Sequence, residues 1–283
     1  MNSSALILVI IYNKSVNDSE TLKSLKQIKD ITADLLIFNN GPERIKRGNI
    51  FIQDLEKDFK NVYLAEDVEN RPLSILYNAV IEEYQQYDTF FIFDDDTHIP
   101  SDYFIKTMEK VKCYDLVIPQ IISNTDQSVC YPIINGKPYK NNTEIKLTDI
   151  VYSIGSGLVI SKTLINKFKK KGLDLFDSRY ALYGVDFSLF RRIRSLIDNG
   201  EKIDIAVSSS LNHSLAKRKK KKEAWRKKEI TIDQVLTSKF YTKTYLDFLW
   251  ILVKKILKLD FDNAWLACKV YKSGCHPRSK KYL

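Results

Sequence analysis

Residues 89–96 read Thr-Phe-Phe-Ile-Phe-Asp-Asp-Asp, so that a short apolar run passes directly into three carboxylates. The run is rich in Phe and Ile and predicts a buried strand. Three adjacent carboxylates at the end of a strand repel one another, and burying them unpaired costs several kcal/mol. A divalent cation removes this cost, and Mg²⁺ usually binds one or two carboxylates together with substrate phosphates. Alternate residues on extended backbone point the same way, so we expect Asp94 and Asp96 to share one face.

Other interpretations of the acidic triplet are weaker. A solvated turn before a helix that begins near Pro100 would leave the strand ending in charges without a function. A phosphohydrolase of the haloacid dehalogenase type needs Thr or Val where this chain has His98, and carries its motif near the N-terminus. Phosphate-binding loops also fail, because residues 155–157 (Gly-Ser-Gly) lack a third glycine at Ile160 and no P-loop pattern occurs. The sequence therefore favours metal binding over kinase or dinucleotide chemistry.

Short apolar runs alternate with helical patterns on both sides of the triplet. This order predicts an α/β sandwich around a mostly parallel sheet, because successive parallel strands need crossover helices. Ligands of such sheets bind beyond the carboxyl ends of the strands, which is where the triplet lies. The predicted strands are residues 5–12, 33–38, 62–65, 89–93, 116–119, 151–160 and 203–207. The predicted helices are residues 20–28, 73–84, 161–170 and 185–198.

The composition is that of a globular protein, since 44% of the 283 residues are hydrophobic and 28% are charged. It excludes wholesale disorder, a collagen-like chain and a coiled-coil rod. The longest apolar runs, residues 5–12 and 248–253, are far shorter than the ~20 residues of a spanning helix, so we expect no transmembrane segment and no signal peptide. The four cysteines contain no Cys-x-x-Cys pair, which predicts reduced thiols in the cytosol and neither a disulfide framework nor a zinc site.

The net charge of +10 is concentrated near the C-terminus. Residues 214–283 contain 19 Lys or Arg and 6 Asp or Glu, a net charge of +13, whereas the first 213 residues contain 26 and 29, a net charge of −3. The densest basic run is residues 217–222, followed by residues 226–228. Such a run suits an anionic membrane, nucleic acid or plain solvation. Nucleic acid ranks last, because the sequence has no recognisable nucleic-acid-binding motif.

Apolar residues recur at helical spacing behind the basic run. A helix with bulky apolar residues on one side and lysines beside them lies in a membrane interface or packs on the protein body. The sequence leaves both interpretations open. The apolar residues are Tyr245, Phe248, Leu249, Leu252, Ile256 and Leu259.

Seven further short motifs lie at predicted strand or helix boundaries. Each is weak alone, because short motifs occur by chance, and their order and spacing carry the signal. They are residues 10–13 (Ile-Ile-Tyr-Asn), 38–42 (Phe-Asn-Asn-Gly-Pro), 70–72 (Asn-Arg-Pro) with Asn78, 154–157 (Ile-Gly-Ser-Gly), 176–177 (Phe-Asp), 183–187 (Tyr-Gly-Val-Asp-Phe) and 211–215 (Leu-Asn-His-Ser-Leu).

Together with the triplet, these motifs resemble family 2 glycosyltransferases of the GT-A fold, particularly bacterial rhamnosyl- and galactofuranosyltransferases of surface polysaccharide synthesis. The resemblance runs from about Leu6 to His213. It implies a Rossmann-like α/β/α sandwich with a mixed, mostly parallel central sheet. We expect this catalytic domain in residues 1–213 and a basic helical extension in residues 214–283.

The resemblance also implies a role for each motif. It makes Asp96 the ligand of Mn²⁺ or Mg²⁺, together with Asp94 and His213, and it makes Asp186 the catalytic base. Contacts to the nucleotide sugar are expected from Tyr12, Asn39, Asn70, Arg71, Asn78, Asp94 and Asp95. Contacts to the acceptor are expected from Gly155, Ser156, Gly157 and Asp177. Asn39 stands where the family usually has an acid, which leaves uracil and thymine both open as the donor base.

Two of these assignments have ordinary alternatives when the residues are taken alone. A carboxylate such as that of Asp186 at a helix N-terminus is stabilised by the helix dipole, by ~0.3–1 kcal/mol, without any catalytic role. A histidine such as His213 can also be a polar residue at the end of a strand.

The implied function is inverting, metal-dependent transfer of a sugar from a UDP- or dTDP-linked donor. The acceptor is expected to be a hydroxyl of a glycan or lipid-linked oligosaccharide, and the enzyme to be cytoplasmic, with peripheral contact to an anionic membrane and no nucleic acid partner. Two other classes remain open. One is a metal-dependent phospho- or nucleotidyltransferase that uses the same carboxylates, and the other is a nucleic-acid-binding protein that uses the basic tail.

Overall fold

A computed structural model of the chain describes residues 4–29, 31–46, 48–139, 144–213, 224–242 and 244–283. The chain divides into two compact units. The first unit comprises residues 1–70, 81–173 and 192–215, and the second comprises residues 71–80, 174–191 and 216–283. The dense basic run at residues 217–222 lies outside the described residues. The functional division at residue 213 that the sequence suggests stays a prediction.

The strands of the described residues all belong to the first unit. In chain order they are β1 (Ala5–Ile11), β2 (Asp34–Asn39), β3 (Val62–Glu66), β4 (Thr89–Asp94), β5 (Thr97–His98), β6 (Leu116–Ser123), β7 (Val129–Tyr131), β8 (Ile133–Ile134), β9 (Lys137–Pro138), β10 (Val151–Tyr152), β11 (Leu158–Ser161) and β12 (Ile205–His213).

The helices confirm the four that the sequence predicts in the body of the chain and the helical character predicted for residues 214–283, and they add others at residues 50–58 and 103–111. They are α1 (Glu20–Gln27), α2 (Ile50–Asp58), α3 (Leu73–Glu83), α4 (Tyr103–Val111), α5 (Lys162–Lys170), α6 (Val185–Asp198), α7 (Ala224–Thr237), α8 (Tyr245–Leu257) and α9 (Phe261–Ser273).

The main sheet has the strand order β3-β2-β1-β4-β11-β6-β12-β5, with β7 paired to β6. The strands β3, β2, β1 and β4 are parallel, as are β6 and β12, whereas β11, β5 and β7 run antiparallel to their neighbours. This mixed sheet confirms the predicted α/β fold. One strand prediction needs correction: residues 151–160 do not form a single element, because β10 joins a separate three-stranded sheet with β8 and β9, and only β11 enters the main sheet.

The core of the first unit is built on its two central strands. All seven residues of β1 are buried, because β2 and β4 flank this strand. The aromatic residues of β4 pack on α4: the ring centres of Phe91 and Phe104 are 5.2 Å apart and those of Phe93 and Tyr103 are 5.9 Å apart. Burying each such side chain contributes ~1.5–3 kcal/mol. This packing holds the end of β4, where the acidic triplet begins.

The second unit is helical, and its C-terminal helices pack on one another. The Phe248 ring of α8 stacks on the Tyr271 ring of α9 with centres 3.9 Å apart. The chain after α9 returns to the segment before α6, where the His276 N–H donates to the Arg179 carbonyl at 2.8 Å. Within the described ranges, no helix has both the length and the apolar character needed to cross a membrane.

The turn that leads into β11 depends on a glycine. Gly157 has φ of +85°, and its N–H donates to the Ile92 carbonyl of β4 at 2.7 Å. A Cβ atom at this position would clash with Leu211 Cδ1 and would lie 2.6 Å from Pro119 Cγ. Gly157 therefore serves two purposes. It adopts a left-handed backbone, and it leaves room for side chains of β6 and β12 to lie against this turn.

We predict that Gly157→Ala lowers the free energy of unfolding by about 2–4 kcal/mol, because it adds overpacking to backbone strain. Urea denaturation measures this change. Gly172→Ala is the matched control, since Gly172 has φ of +66° but nothing within 4 Å of the added Cβ. The control is expected to cost only about 1–2 kcal/mol, the strain alone. Equal losses in the two variants would contradict the packing argument.

Candidate metal centre

Three side chains that can ligate a metal converge in the first unit. Asp94, Asp96 and His213 each offer one ligand atom, and these atoms lie within 4.8 Å of one another. The Nε2 atom of His213 lies 3.2 Å from Asp96 Oδ1 and 3.6 Å from Asp94 Oδ2. The three residues predicted as metal ligands are thus brought together.

Strand pairing explains why His213 lies here despite its distance in the sequence. The strand β12 extends to residue 213, six residues beyond the predicted end, because it pairs with β6 as far as Ser123 and its last two residues also pair with the short strand β5. In this register His213 is opposite Thr97, the residue that follows Asp96. The pairing therefore places the imidazole beside the acidic turn.

Hydroxyl groups at the start of α1 fix the backbone of the acidic turn. The Thr21 hydroxyl donates to the Asp94 carbonyl at 2.5 Å and accepts from the Thr97 N–H at 3.0 Å. The Ser19 hydroxyl donates to the Asp95 carbonyl at 3.1 Å, while the same oxygen caps α1 by accepting from the Leu22 N–H. These bonds hold the carboxylates in place before any ligand is bound.

Ser156 supports the same turn from the other side. Its buried hydroxyl accepts from the Asp94 N–H at 3.1 Å and lies 2.6 Å from the Thr97 hydroxyl. Gly155 and Gly157 flank this serine and are buried as well. These contacts make Ser156 a positioning residue for the triplet, and the acceptor contacts expected from residues 155–157 stay predictions.

The middle carboxylate of the triplet has different partners. Asp95 accepts from the Lys14 ammonium at 2.5 Å and from the Tyr12 N–H at 3.3 Å. It thereby ties the acidic turn to the end of β1. Asp94 and Asp96 are the two carboxylates that approach His213, in agreement with the alternation expected along an extended backbone.

The residues present fit a divalent cation. Two carboxylates at one point repel each other, and a cation between them offsets that repulsion. The set of two oxygen ligands and one imidazole suits Mn²⁺, and the carboxylates also suit Mg²⁺. The side chains of Asp94 and Asp96 are 42% and 33% exposed, whereas that of His213 is 9% exposed. The centre is therefore closed on the histidine side and accessible to a further ligand on the carboxylate side.

Two predicted nucleotide contacts lie together at the end of β1. The Asn70 amide donates to the Tyr12 hydroxyl at 3.2 Å, and the Tyr12 side chain is 46% exposed. Both residues belong to the first unit, as does Asp95. An exposed aromatic ring can stack on a nucleotide base, and an amide can hydrogen-bond to one. The nucleotide contacts of both residues stay predictions.

Asn39, at the end of β2, is buried and already hydrogen-bonded. Its amide donates to the Glu43 carbonyl at 2.7 Å and to Glu66 Oε1 at 2.9 Å, and its oxygen accepts from the Gly41 N–H at 3.0 Å. Glu66 Oε1 also accepts from the Ile45 N–H at 2.7 Å. Burial favours the neutral carboxyl of Glu66, but these hydrogen bonds outweigh burial and lower its pKa.

The predicted residues of the second unit are held in internal contacts. Asn78 donates to the Phe176 carbonyl at 2.8 Å and accepts from the Phe176 N–H at 3.1 Å. The guanidinium of Arg71 lies 6.0 Å from the centre of the Tyr282 ring. The buried carboxylate of Asp177 accepts from the Arg179 guanidinium at 2.8 and 2.5 Å and from the Tyr241 hydroxyl at 2.7 Å. Their substrate contacts stay predictions.

Asp186 lies in the first turn of α6, in the second unit, and is half-buried. The helix starts there because Gly184, with φ of +83°, lets the chain turn and its carbonyl accepts from the Ser188 N–H at 2.8 Å. A side chain at Gly184 would clash with Asp233 Oδ1. The predicted helix start is thus confirmed, whereas the catalytic role of Asp186 stays a prediction.

The motifs quoted from the sequence do not include the residues that position the ligands. Ser19 lies directly before a helical pattern, which is a capping signal, and Thr21 lies in the first turn of the same helix. Lys14 follows the first strand and Glu66 ends the third, so both lie at the carboxyl edge where ligands of such sheets bind. Thr97 carried no local signal, because its role depends on pairing with a distant strand.

Solved structures share this fold. GalNAc-T7, crystallised with UDP, GalNAc and Mn²⁺, matches 89% of this chain with a TM-score of 0.61 at 11% identity. The match covers 51% of the GalNAc-T7 chain, so the present chain spans about half its length. The 1–349 fragment of S. aureus TarS matches 97% of this chain and 93% of its own with a TM-score of 0.56 at 10% identity, and its complex with UDP-GlcNAc gives 0.55.

At these identities the likeness shows the fold, which is that of GT-A glycosyltransferases. The sequence matches no protein-family model and no curated protein sequence.

We predict that Asp96→Asn and His213→Ala each weaken Mn²⁺ binding at least about tenfold, because each removes one of three protein ligands. Electron paramagnetic resonance of free Mn²⁺, with and without UDP, measures the affinity, and thermal unfolding reports the loss of Mn²⁺-dependent stabilisation. Asp102→Asn is the control, since this carboxylate pairs with Lys106 on the surface. A control that weakens binding as much as Asp96→Asn would show that Mn²⁺ binds elsewhere.

We predict that Ser156→Ala weakens Mn²⁺ binding about tenfold although Ser156 is no ligand, because it frees the Asp94 N–H and the Thr97 hydroxyl. The same resonance titration measures it. Ser153→Ala is the matched control: this serine is buried too, but its hydroxyl has no hydrogen-bond partner among the described residues. Similar affinities for the two variants would contradict a positioning role for Ser156.

Proposed function

We propose that this chain is an inverting, metal-dependent glycosyltransferase that uses a UDP- or dTDP-linked sugar. The observation that carries the proposal is the convergence of Asp94, Asp96 and His213 at the edge of a GT-A sheet. Carboxyl ends of strands are where α/β sheets bind ligands, and a cation site there suits a diphosphate. The acceptor in this proposal is a hydroxyl of a glycan or lipid-linked oligosaccharide in bacterial surface polysaccharide synthesis, such as O-antigen or capsule.

The three candidate metal-ligating residues assist the departure of the nucleoside diphosphate in this proposal. Asp94, Asp96 and His213 would hold a divalent cation, which would supply positive charge to stabilise the diphosphate leaving group. Asp94 and Asp95 also contact the nucleotide sugar in this proposal, and the bonds of Asp95 to Lys14 and the Tyr12 N–H keep the acidic turn beside the end of β1. The exposed Tyr12 ring and Asn70 then contact the nucleotide, as do Asn39, Arg71 and Asn78 in this proposal.

Asp186 is the general base of the proposal. Its carboxylate takes the proton of the acceptor hydroxyl as the new glycosidic bond forms at the anomeric carbon and the bond to the diphosphate breaks. A single displacement with the base opposite the leaving group inverts the configuration of that carbon, through a transition state with oxocarbenium character. Residues 155–157 and Asp177 line the acceptor side in this proposal.

The ligands in the solved structures that share the fold support a particular nucleotide and a particular cation. GalNAc-T7 was crystallised with UDP, GalNAc and Mn²⁺, and the TarS fragment with UDP-GlcNAc and with UDP. These ligands favour UDP as the nucleotide and Mn²⁺ as the cation for the first trials. Transfer of rhamnose or galactofuranose, which the sequence motifs suggest, belongs to the same proposal. So does a cytoplasmic enzyme that meets its acceptor at the inner face of the membrane.

We predict that the chain releases UDP or dTDP from a nucleotide sugar in the presence of Mn²⁺, and that Asp186→Asn slows this release about 10²–10⁴-fold, because the base is lost. Coupled detection of the nucleoside diphosphate measures the rate, with water as the surrogate acceptor. Proton NMR of the freshly released sugar gives the anomeric configuration, which is expected to be inverted.

Asp198→Asn is the matched control for this experiment, because Asp198 ends the same helix and pairs with Arg194. It is expected to retain the rate, and Asp186→Asn is expected to retain Mn²⁺-dependent binding of UDP. Equal rates for the two variants would remove Asp186 from the mechanism. Turnover of a nucleoside triphosphate instead of a nucleotide sugar would favour a phospho- or nucleotidyltransferase.

A further inference from the structure

The C-terminal helices concentrate the exposed apolar side chains of the molecule. Ten of the nineteen large apolar side chains that are exposed in the described part of the chain fall within residues 245–265. Single exposed apolar residues are ordinary on protein surfaces, whereas a contiguous set marks an interaction site. We infer that α8 and α9 carry a docking surface for an anionic lipid bilayer.

The exposed side chains include a set on each of the two helices. Four of the seven on α8 are spaced three or four residues apart, which places these four on one face of the helix. Two on α9 are four residues apart, and Leu259, 76% exposed, lies between the helices. Exposed fractions run from 42% to 77%. We call this set the apolar strip: Leu246, Trp250, Val253, Leu257, Phe261 and Trp265.

The opposite face of α8 is attached to the protein. Phe248 is 5% exposed and stacks on Tyr271 of α9. Lys255, seven residues later on the same face, donates to the Thr231 hydroxyl of α7 at 2.7 Å. Burial of this ammonium lowers the pKa of Lys255. The helix is therefore fixed by one side, and the α8 residues of the apolar strip lie on the face opposite Phe248 and Lys255.

The charges beside the strip favour lipid as its occupant. The Lys254 ammonium lies 4.8 Å from the centre of the Trp250 ring, and the Lys269 ammonium lies 5.1 Å from that of Trp265. Indole rings sit at the level of lipid headgroups, where neighbouring ammonium groups meet lipid phosphates. A second copy of this chain would instead bring together two surfaces of the same sign, since residues 245–273 contain five Lys and three Asp.

The apolar strip adds a lipid bilayer to the partners of the proposed glycosyltransferase. If the acceptor is lipid-linked, a bilayer under α8 and α9 confines the enzyme to the surface that carries the acceptor. That benefit rests on the proposed glycosyl transfer. The docking surface itself does not, because none of its residues belongs to the metal centre.

Flotation of the full chain with phosphatidylcholine vesicles, with and without roughly a third of phosphatidylglycerol, tests the inference. The chain is expected to float with the anionic vesicles and to stay at the bottom with the neutral ones. The double variant Trp250→Ala/Trp265→Ala is expected to bind anionic vesicles at least about tenfold more weakly, because it removes both interfacial rings. Lys254→Glu/Lys269→Glu is expected to lose the preference for anionic lipid.

The matched control is Ile50→Ala/Ile105→Ala, which removes two apolar side chains of the first unit that are 74% and 67% exposed. It is expected to bind vesicles like the parent chain. A second readout uses Trp225→Phe, which leaves Trp250 and Trp265 as the emitting indoles. Their fluorescence is expected to shift to the blue when anionic vesicles are added, and an unchanged spectrum would overturn the inference.

Three further results would overturn the docking surface. One is equal vesicle binding by the tryptophan double variant and its isoleucine control. Another is no vesicle binding by a parent chain that still shows Mn²⁺-dependent binding of UDP, a result that leaves the glycosyltransferase proposal intact. The third is a dimer in light scattering that Leu257→Asp dissociates, without vesicle binding, since a second copy would then cover the strip. Vesicle binding without nucleotide binding would support the docking surface and count against the enzyme.

Discussion

The carboxylates of Asp94 and Asp96 repel each other, yet the protein holds both beside His213 at one point of the sheet edge. The arrangement depends on two short pieces of backbone structure, the end of β4 and the pairing of β5 with β12. Neither piece of backbone can shift to separate the two carboxylates, because β4 is buried in the core and β5 is paired with the last residues of β12. A cation that binds both carboxylates offsets a repulsion that folding has already imposed.

Neutral hydroxyls build much of the frame around this point, together with the ion pair of Lys14 and Asp95. Thr21 and Ser156 satisfy the backbone groups of the acidic turn, so that the negative charge stays on the two ligating side chains. Such buried hydrogen bonds are costly to break, because each partner would be left unsatisfied. The frame therefore preorganises the candidate metal centre and explains why small polar residues occupy buried positions near it.

The predicted binding residues differ in whether their polar groups are already hydrogen-bonded within the protein. Asn39 and Asp177 are buried and fully engaged in internal bonds, so a substrate contact by either would replace an existing bond. Tyr12 is exposed and can contact a ligand at little cost. The same fold recurs at 10–11% identity in other proteins, because many apolar side chains of suitable volume can fill a core of the same shape.

The sequence by itself determined the local elements: the apolar runs of β1 and β4, the helix beginning at Val185, and an acidic triplet at a strand end. These follow from periodicity and short-range signals. Only the tertiary structure decided that β12 reaches residue 213, that Asp95 turns to Lys14, and which face of α8 stays exposed. Pairing between distant strands and packing between helices set these features, and no local pattern encodes a partner that lies far along the chain.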